Sequence, residues 1–170
     1  MSTSTLILRE ETAADWPAID RLHQTAFNGP TEADLVRALH REQAVVLSLI
    51  AEEDGGIAGH ALYSRVLVEI VGEFVPALAL APLAVAPERQ RRGVGSRLVE
   101  EAHRRLAAQG EGMVFVVGDP AYYERFGFSK AAARPFKTPY DGPHVMALAL
   151  NSGVPASGIV RYPIAFAELA

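Results

Sequence analysis

Gln90-Arg91-Arg92-Gly93-Val94-Gly95-Ser96 is the stretch on which the reading of this chain turns. Upstream, an apolar segment of extended character ends at Val85. Downstream, Val94, Leu98, Val99, Ala102 and Leu106 recur at helical spacing. Arg97, Glu100, Glu101, Arg104 and Arg105 fall on the other face, so the helix is amphipathic. A glycine turn running straight into a helix aims successive backbone N–H groups at one point, and the helix dipole adds positive potential there. Gly93 and Gly95 permit a close approach that a side chain would obstruct. Ser96 offers a hydroxyl, and Arg91 or Arg92 a charge-assisted bond. The residues thus specify an anion site of phosphate type. The turn is neither a P-loop, because the Lys-Ser/Thr pair is absent, nor a full G-x-G-x-x-G dinucleotide fingerprint.

On either side of the turn, strands and helices alternate. Leu6–Arg9 reads as a first strand. Thr12 caps a helix carrying Trp16, Ile19, Leu22, Ala26 and Phe27, which stops at Asn28-Gly29-Pro30. A second helix covers Glu32–Arg41. Ala44–Glu52 and Ile57–Val68 form an antiparallel pair around Glu53-Asp54-Gly55-Gly56. Gly72-Glu73 then turns the chain into the segment ending at Val85, which Pro76 and Pro82 interrupt. Gly110 and Gly112 end the long helix. Met113–Val117 is apolar throughout, as expected of a strand buried on both faces. A short helix over Ala121–Phe126 and a strand over His144–Leu150 follow, and Val160–Phe166 reads as an edge strand or an extended tail. The order predicts an α/β fold, a mixed central β-sheet flanked by helices.

Composition narrows the function classes. The 170 residues suit one domain with a sizeable core, and 49% hydrophobic against 21% charged residues is a globular balance. The net charge of -4 provides no global field for nucleic acid or anionic membrane, although Arg89, Arg91, Arg92 and Arg97 cluster around the glycines. That cluster is compact and lacks the interleaved aromatics of a single-strand platform, which argues against a nucleic-acid module. There is no cysteine, so disulfides, thiolate catalysis and thiolate metal sites are excluded. His23, His40, His60, His103 and His144 show no metal-ligand spacing, so no metal is expected. His103 is expected on a solvated or semi-exposed helix surface. Met1–Leu6 has no signal-peptide character, and Phe74–Ala86 is too short to span a bilayer. A cytoplasmic protein, monomeric or a small oligomer such as a homodimer, is the expectation.

Gln90-Arg91-Arg92-Gly93-Val94-Gly95 resembles the Q/R-x-x-G-x-G/A signature of the GCN5-related N-acetyltransferase (GNAT) superfamily. Pro82-Leu83-Ala84-Val85-Ala86-Pro87 and Tyr122-Tyr123-Glu124-Arg125-Phe126-Gly127-Phe128 match the same family, and the order of these words is closest to its YhbS-like bacterial branch. The resemblance implies the acyl-CoA N-acyltransferase (GNAT) fold in a single domain over residues 1–170, with 151–170 as a family-specific C-terminal segment. It implies that acetyl-CoA lies against a splayed pair of parallel strands, that Leu83, Ala84 and Val85 run along its acetyl and pantetheine portion, and that Arg91, Arg92, Gly93, Val94, Gly95 and Ser96 cradle its pyrophosphate. The acetyl group passes to a primary amine on a small molecule or peptide by direct attack, with the Val85 N–H on the oxyanion. An acyl-CoA sensor without turnover is the alternative.

Tyr123, four residues before Gly127, matches the family's usual tyrosine, which protonates the departing CoA thiolate. A phenol is protonated at neutral pH and suits that role. The neighbouring Tyr122 leaves open which ring faces the cofactor. Glu73 is the candidate base and His60 a weaker one; Ser64 could orient an amide or amine, and His144 could lie near the acceptor cleft or cap local backbone groups. The acceptor pocket is expected among Phe27–Leu35, Leu67–Phe74 and Ala133–Tyr140, with Phe27, Phe74, Phe136 and Tyr140 as its aromatic wall.

Overall fold

The computed structural model describes residues 5–140 and 142–169; Met1–Ser4, where the absence of a signal peptide was read, lie outside the described residues. From one edge the sheet runs β1 (Ile7–Glu10), β2 (Val45–Glu53), β3 (Gly56–Ile70), β4 (Glu73–Val85), β5 (Met113–Val117) and β7 (Val145–Ala149). Neighbours are antiparallel except β4 and β5, which are parallel. The length of β3 lets it serve two partners along one edge. Its first part pairs with β2, while Leu67–Glu69 pairs with β8 (Gly158–Arg161), which in turn carries the short β6 (Phe136–Lys137).

Side chains alternate across a strand, so adjacent residues feed opposite layers. Ile50, Leu62 and Phe115 face the helices α1 (Trp16–Phe27) and α2 (Thr31–Arg41), where Ile19, Leu35 and Leu39 meet them. Leu49, Tyr63, Leu78 and Val114 face α3 (Val94–Ala108), whose stripe of Val94, Leu98, Val99, Ala102 and Leu106 is buried. That stripe is the one predicted from the sequence. Asn28, in the left-handed conformation, ends α1 where a turn was expected. Among the described residues, no helix is long and apolar enough to cross a membrane.

One irregularity in the sheet positions the site. β4 and β5 pair only at Leu78–Val114 and Ala79–Phe115. Just beyond, Ala61 pairs with Leu83 and Tyr63 with Leu80, so Ala81 and Pro82 together oppose Leu62 as a bulge, with a cis peptide between them. β4 then follows β3 to Val85, while β5 follows β7 to Val117. The two central strands therefore part into a V.

The short α5 (Lys130–Ala133) and β6 carry too few residues for a periodic signal. The last segment keeps the strand that Val160–Phe166 suggested but not the extended tail. Gly158–Arg161 is a strand, and past Pro163 the chain coils into a 3-10 helix over Ile164–Leu169. The Glu42 carboxylate accepts from the N–H groups of Ile164 and Ala165 and ties that coil to the end of α2.

Three histidines are embedded in these layers. His60 Nδ1 lies 2.8 Å from His23 Nε2, and its Nε2 lies 2.7 Å from Ser48 Oγ. This fully buried chain makes His60 structural, and burial holds its pKa well below 6.5. His103 is half-buried, the semi-exposed form of what was expected, and its ring lies between Tyr63 and Phe128 at 5.7 and 5.6 Å. Burial lowers the pKa of His23 and of His103 from 6.5 to about 4. The unfolded chain therefore binds protons that the folded chain refuses as pH falls from 6.5 toward 4, and stability drops. Denaturant unfolding at about pH 5 is expected to lose on the order of 2 kcal/mol per histidine relative to about pH 7; a flat profile over that window would contradict their neutral burial.

Candidate active site: a cleft between the parting strands

The N-terminus of α3 opens toward the V. Gly93 is its N-cap in the left-handed conformation, φ 83, and no side chain caps it. The Arg97 N–H donates back to Gly93 O at 3.0 Å, which leaves the N–H groups of Val94, Gly95 and Ser96 without an intrahelical acceptor. Together with the helix dipole they form a ready anion cradle. The backbone is packed closely here, and a Cβ on Gly95 would collide with the Tyr122 hydroxyl.

A hollow of about 400 Å³ lies over this cradle and is lined by Leu83, Val85, Arg91, Ser96, Tyr122 and Arg125, among others. Of the two candidate arginines, Arg91 lines it; Arg92 is exposed and does not. Arg89 of the same cluster is committed to an ion pair with Glu53. Arg125, within the Tyr122–Phe128 stretch, also lines the hollow. Its guanidinium lies 4.7 Å from the centroid of the Tyr122 ring, a cation–π contact that brings a further positive charge to the cleft. A ring three positions upstream was the only local signal, and it specifies no partner.

The edge of β4 supplies the other polar groups. Ala86 N donates to Ala58 O at 2.8 Å. Bonded and non-bonded pairs alternate along an antiparallel ladder. Ala84, opposite His60, therefore spends its backbone groups on β3, while Leu83 and Val85 turn theirs toward the gap left by β5. Gln90 Nε2 reaches Val85 O from that side at 3.2 Å.

Both tyrosines border the hollow. Tyr122 is half-buried, and its ring meets Tyr123 edge-on at 5.0 Å. Tyr123 is the deeper of the two and packs on Phe128 at 5.9 Å. Burial, with Tyr122 beside it, pushes its pKa up to about 12, so the phenol keeps its proton at any ordinary pH.

On the α1 and α2 side the V opens into a second hollow of about 210 Å³. Its walls include Ala81, Phe115, Val117, Tyr140, Tyr162 and Phe166. The Tyr162 hydroxyl is buried without a hydrogen-bond partner among the described residues. Tyr162 and Phe166 escaped the sequence reading because the tail had no fixed place in the sheet; the Glu42 anchor brings them here. No carboxylate or imidazole lines this hollow among the described residues.

Several expected site residues lie elsewhere. Glu73, the candidate base, opens β4 at the tip of the β3–β4 hairpin, opposite Ile70 and exposed. Roughly 20 Å of strand separates it from Ala79, where the V begins, at ~3.3 Å per residue. Glu73 is therefore too far from the V to act as a direct base. Phe74, 55% exposed, shares that tip, and Phe27 stacks on His23, so neither joins the aromatic wall; Phe136 and Tyr140 do face a common hollow. Ser64 is buried within β3. His144 Nδ1 lies 3.1 Å from Gly118 O and so caps local backbone. Among the described residues, no group of three or more His, Asp or Glu side chains is placed to hold a metal.

An anion cradle, outward-facing strand-edge groups and a half-buried phenol meet in one cleft. Residues 8–131 match the acetyltransferase (GNAT) domain family. YhbS of Escherichia coli K12, described as an uncharacterized N-acetyltransferase, is 34% identical over 138 residues, covering 81% of each chain. The solved structure of E. coli YhbS in complex with CoA superposes with a TM-score of 0.90 at 30% identity, covering 100% of this chain and 96% of that one. A GNAT family acetyltransferase from Brucella melitensis in complex with acetyl-CoA gives 0.80 at 32% identity, covering 95% and 98%. The chain belongs to the GCN5-related N-acetyltransferase (GNAT) family of acetyl-CoA-dependent enzymes.

Proposed function

We propose that this enzyme transfers the acetyl group of acetyl-CoA directly to a primary amine, without an acyl-enzyme intermediate. The observation that carries the reading is the V after Ala79 and Phe115, with the hollow over α3 on one side of the sheet and the hollow lined by Tyr140 and Tyr162 on the other. The residues on the cofactor side fit CoA. The free N–H groups of Val94, Gly95 and Ser96, with Arg91 and Arg125, suit its pyrophosphate. The outward-facing groups of Leu83 and Val85 suit the two amides of its pantetheine arm. Ala84, also expected to bind, is spent on the ladder with β3.

Acetyl-CoA supplies an activated thioester; the chain supplies position and charge. A neutral amine enters past Tyr140, its nitrogen bonds to the carbonyl carbon, and the carbon–sulfur bond breaks. Backbone N–H groups stabilise the developing oxyanion. Leu83 is closer than Val85 to the apex of the V and takes that role in preference to it. Tyr123 gives its proton to the departing thiolate and regains one from the amine or from solvent. No protein nucleophile is needed, in keeping with a chain that has no cysteine.

Incubation with acetyl-CoA and a panel of primary amines should release CoA thiol in step with N-acetylated product. Tight acetyl-CoA binding with no product across the panel, at neutral and alkaline pH alike, would reject the transferase reading.

A further inference from the structure

The acceptor's class can be argued from where the unmatched positive charges lie. Most arginines on the body of the protein face carboxylates: Arg9 meets Asp15 and Glu52, Arg65 meets Glu111, Arg104 and Arg105 meet Glu101, and Arg161 meets Glu69. Apart from Arg21 and Arg41, the cations that make no ion pair among the described residues fall into two groups. One is the set around the α3 N-terminus, which the cofactor's phosphates account for. The other is Lys130, Arg134 and Lys137, which make no ion pair among the described residues and line one concavity of about 750 Å³. Lys130 and Lys137 are the only lysines in the sequence. No carboxylate lines this concavity among the described residues, in a chain whose net charge is -4.

Its place in the fold gives that charge a use. The concavity is built from α5, β6 and the approach to β7, and Tyr140 forms a wall both of it and of the hollow in the V. The Thr138 hydroxyl donates to Tyr140 O at 2.6 Å and accepts from Tyr140 N–H at 3.0 Å, which fixes this shared wall. The size lies within the range of small-molecule sites.

We infer that the acceptor is a primary amine carrying an anionic group, a carboxylate or a phosphate, held by Lys130, Arg134 and Lys137 while the amine reaches past Tyr140 into the V. This rests on the transferase reading above. Phe136 and Ala133 form the apolar floor on which the middle of such a molecule lies. The same three charges oppose the ammonium form of the amine, because a nearby like charge disfavours ionisation. They thereby favour the nucleophilic neutral amine in a hollow where no carboxylate or imidazole serves as base among the described residues.

The test uses primary amines of equal length that end in carboxylate, phosphate, hydroxyl or ammonium. Initial rates are measured for the wild-type enzyme, for Arg134→Gln and for the combined Lys130→Gln, Arg134→Gln, Lys137→Gln protein. The carboxylate- or phosphate-ended amine should exceed the hydroxyl-ended one in kcat/KM by about 10-fold or more, as charge-assisted contacts to several cations allow. The gap should narrow in Arg134→Gln and close in the triple variant through KM, with acetyl-CoA affinity retained. Which anion leads identifies the tail. Equal kcat/KM for all four ends, or an anionic preference that survives the triple substitution, overturns this assignment and leaves the transferase reading intact. Absence of turnover with every amine, here and in the broad panel, overturns both.

Discussion

Gly95→Ala is expected to weaken acetyl-CoA binding by about 10- to 100-fold, equivalent to roughly 1.4 to 2.7 kcal/mol. The new methyl group would stand where the Tyr122 hydroxyl now lies, against the first turn of α3. If Tyr122 swings away, the methyl still occupies the space through which a phosphate must approach the N–H groups of Val94, Gly95 and Ser96. Gly93→Ala provides the contrast. A Cβ at Gly93 meets nothing within 4 Å, so its cost is the left-handed backbone, about 1 to 2 kcal/mol, and not lost space. Calorimetric titration with acetyl-CoA separates the two when paired with denaturant unfolding. Gly95→Ala should lose affinity at little cost in stability, whereas Gly93→Ala should lose stability as well. Wild-type affinity in Gly95→Ala would remove the cradle from its assigned place.

Tyr123→Phe is expected to lower kcat by about 100-fold or more, within the range for loss of a positioned general acid. Acetyl-CoA affinity should change little, because the ring and its contact with Phe128 remain. With a pKa of about 12 the phenol is a donor throughout the assay range, so the ratio of wild-type to variant rates should stay constant from neutral to alkaline pH. Tyr122→Phe is the control. It keeps the ring beneath Arg125 and loses only the hydroxyl beside Gly95, so its effect should fall on cofactor affinity. A full-rate Tyr123→Phe enzyme would assign the proton elsewhere.

The parts of this account legible in the sequence are those in which one short word fixes local geometry. Gly93 and Gly95 before the stripe of α3 pointed to a helix N-terminus with free N–H groups, which needs no distant partner to form. The apolar run of β5 was legible as a strand buried on both faces. Long-range placement was illegible. Gly72-Glu73 was legible as a turn, but its distance from the V follows only from the register of β3 against β4 and the point where β4 leaves β5. Tyr162 and Phe166 reach the site through Glu42, more than a hundred positions away, in bonds that no periodicity encodes. His60 was legible as a histidine in a strand, but its two partners come from α1 and β2.

The most direct test of the central claim is a crystal structure of the protein with CoA. The pyrophosphate is predicted within hydrogen-bonding distance of the N–H groups of Val94, Gly95 and Ser96, the pantetheine arm along Leu83 and Val85, and the sulfur beside the Tyr123 hydroxyl. A pyrophosphate bound away from the α3 N-terminus, or a sulfur out of reach of Tyr123, would contradict it.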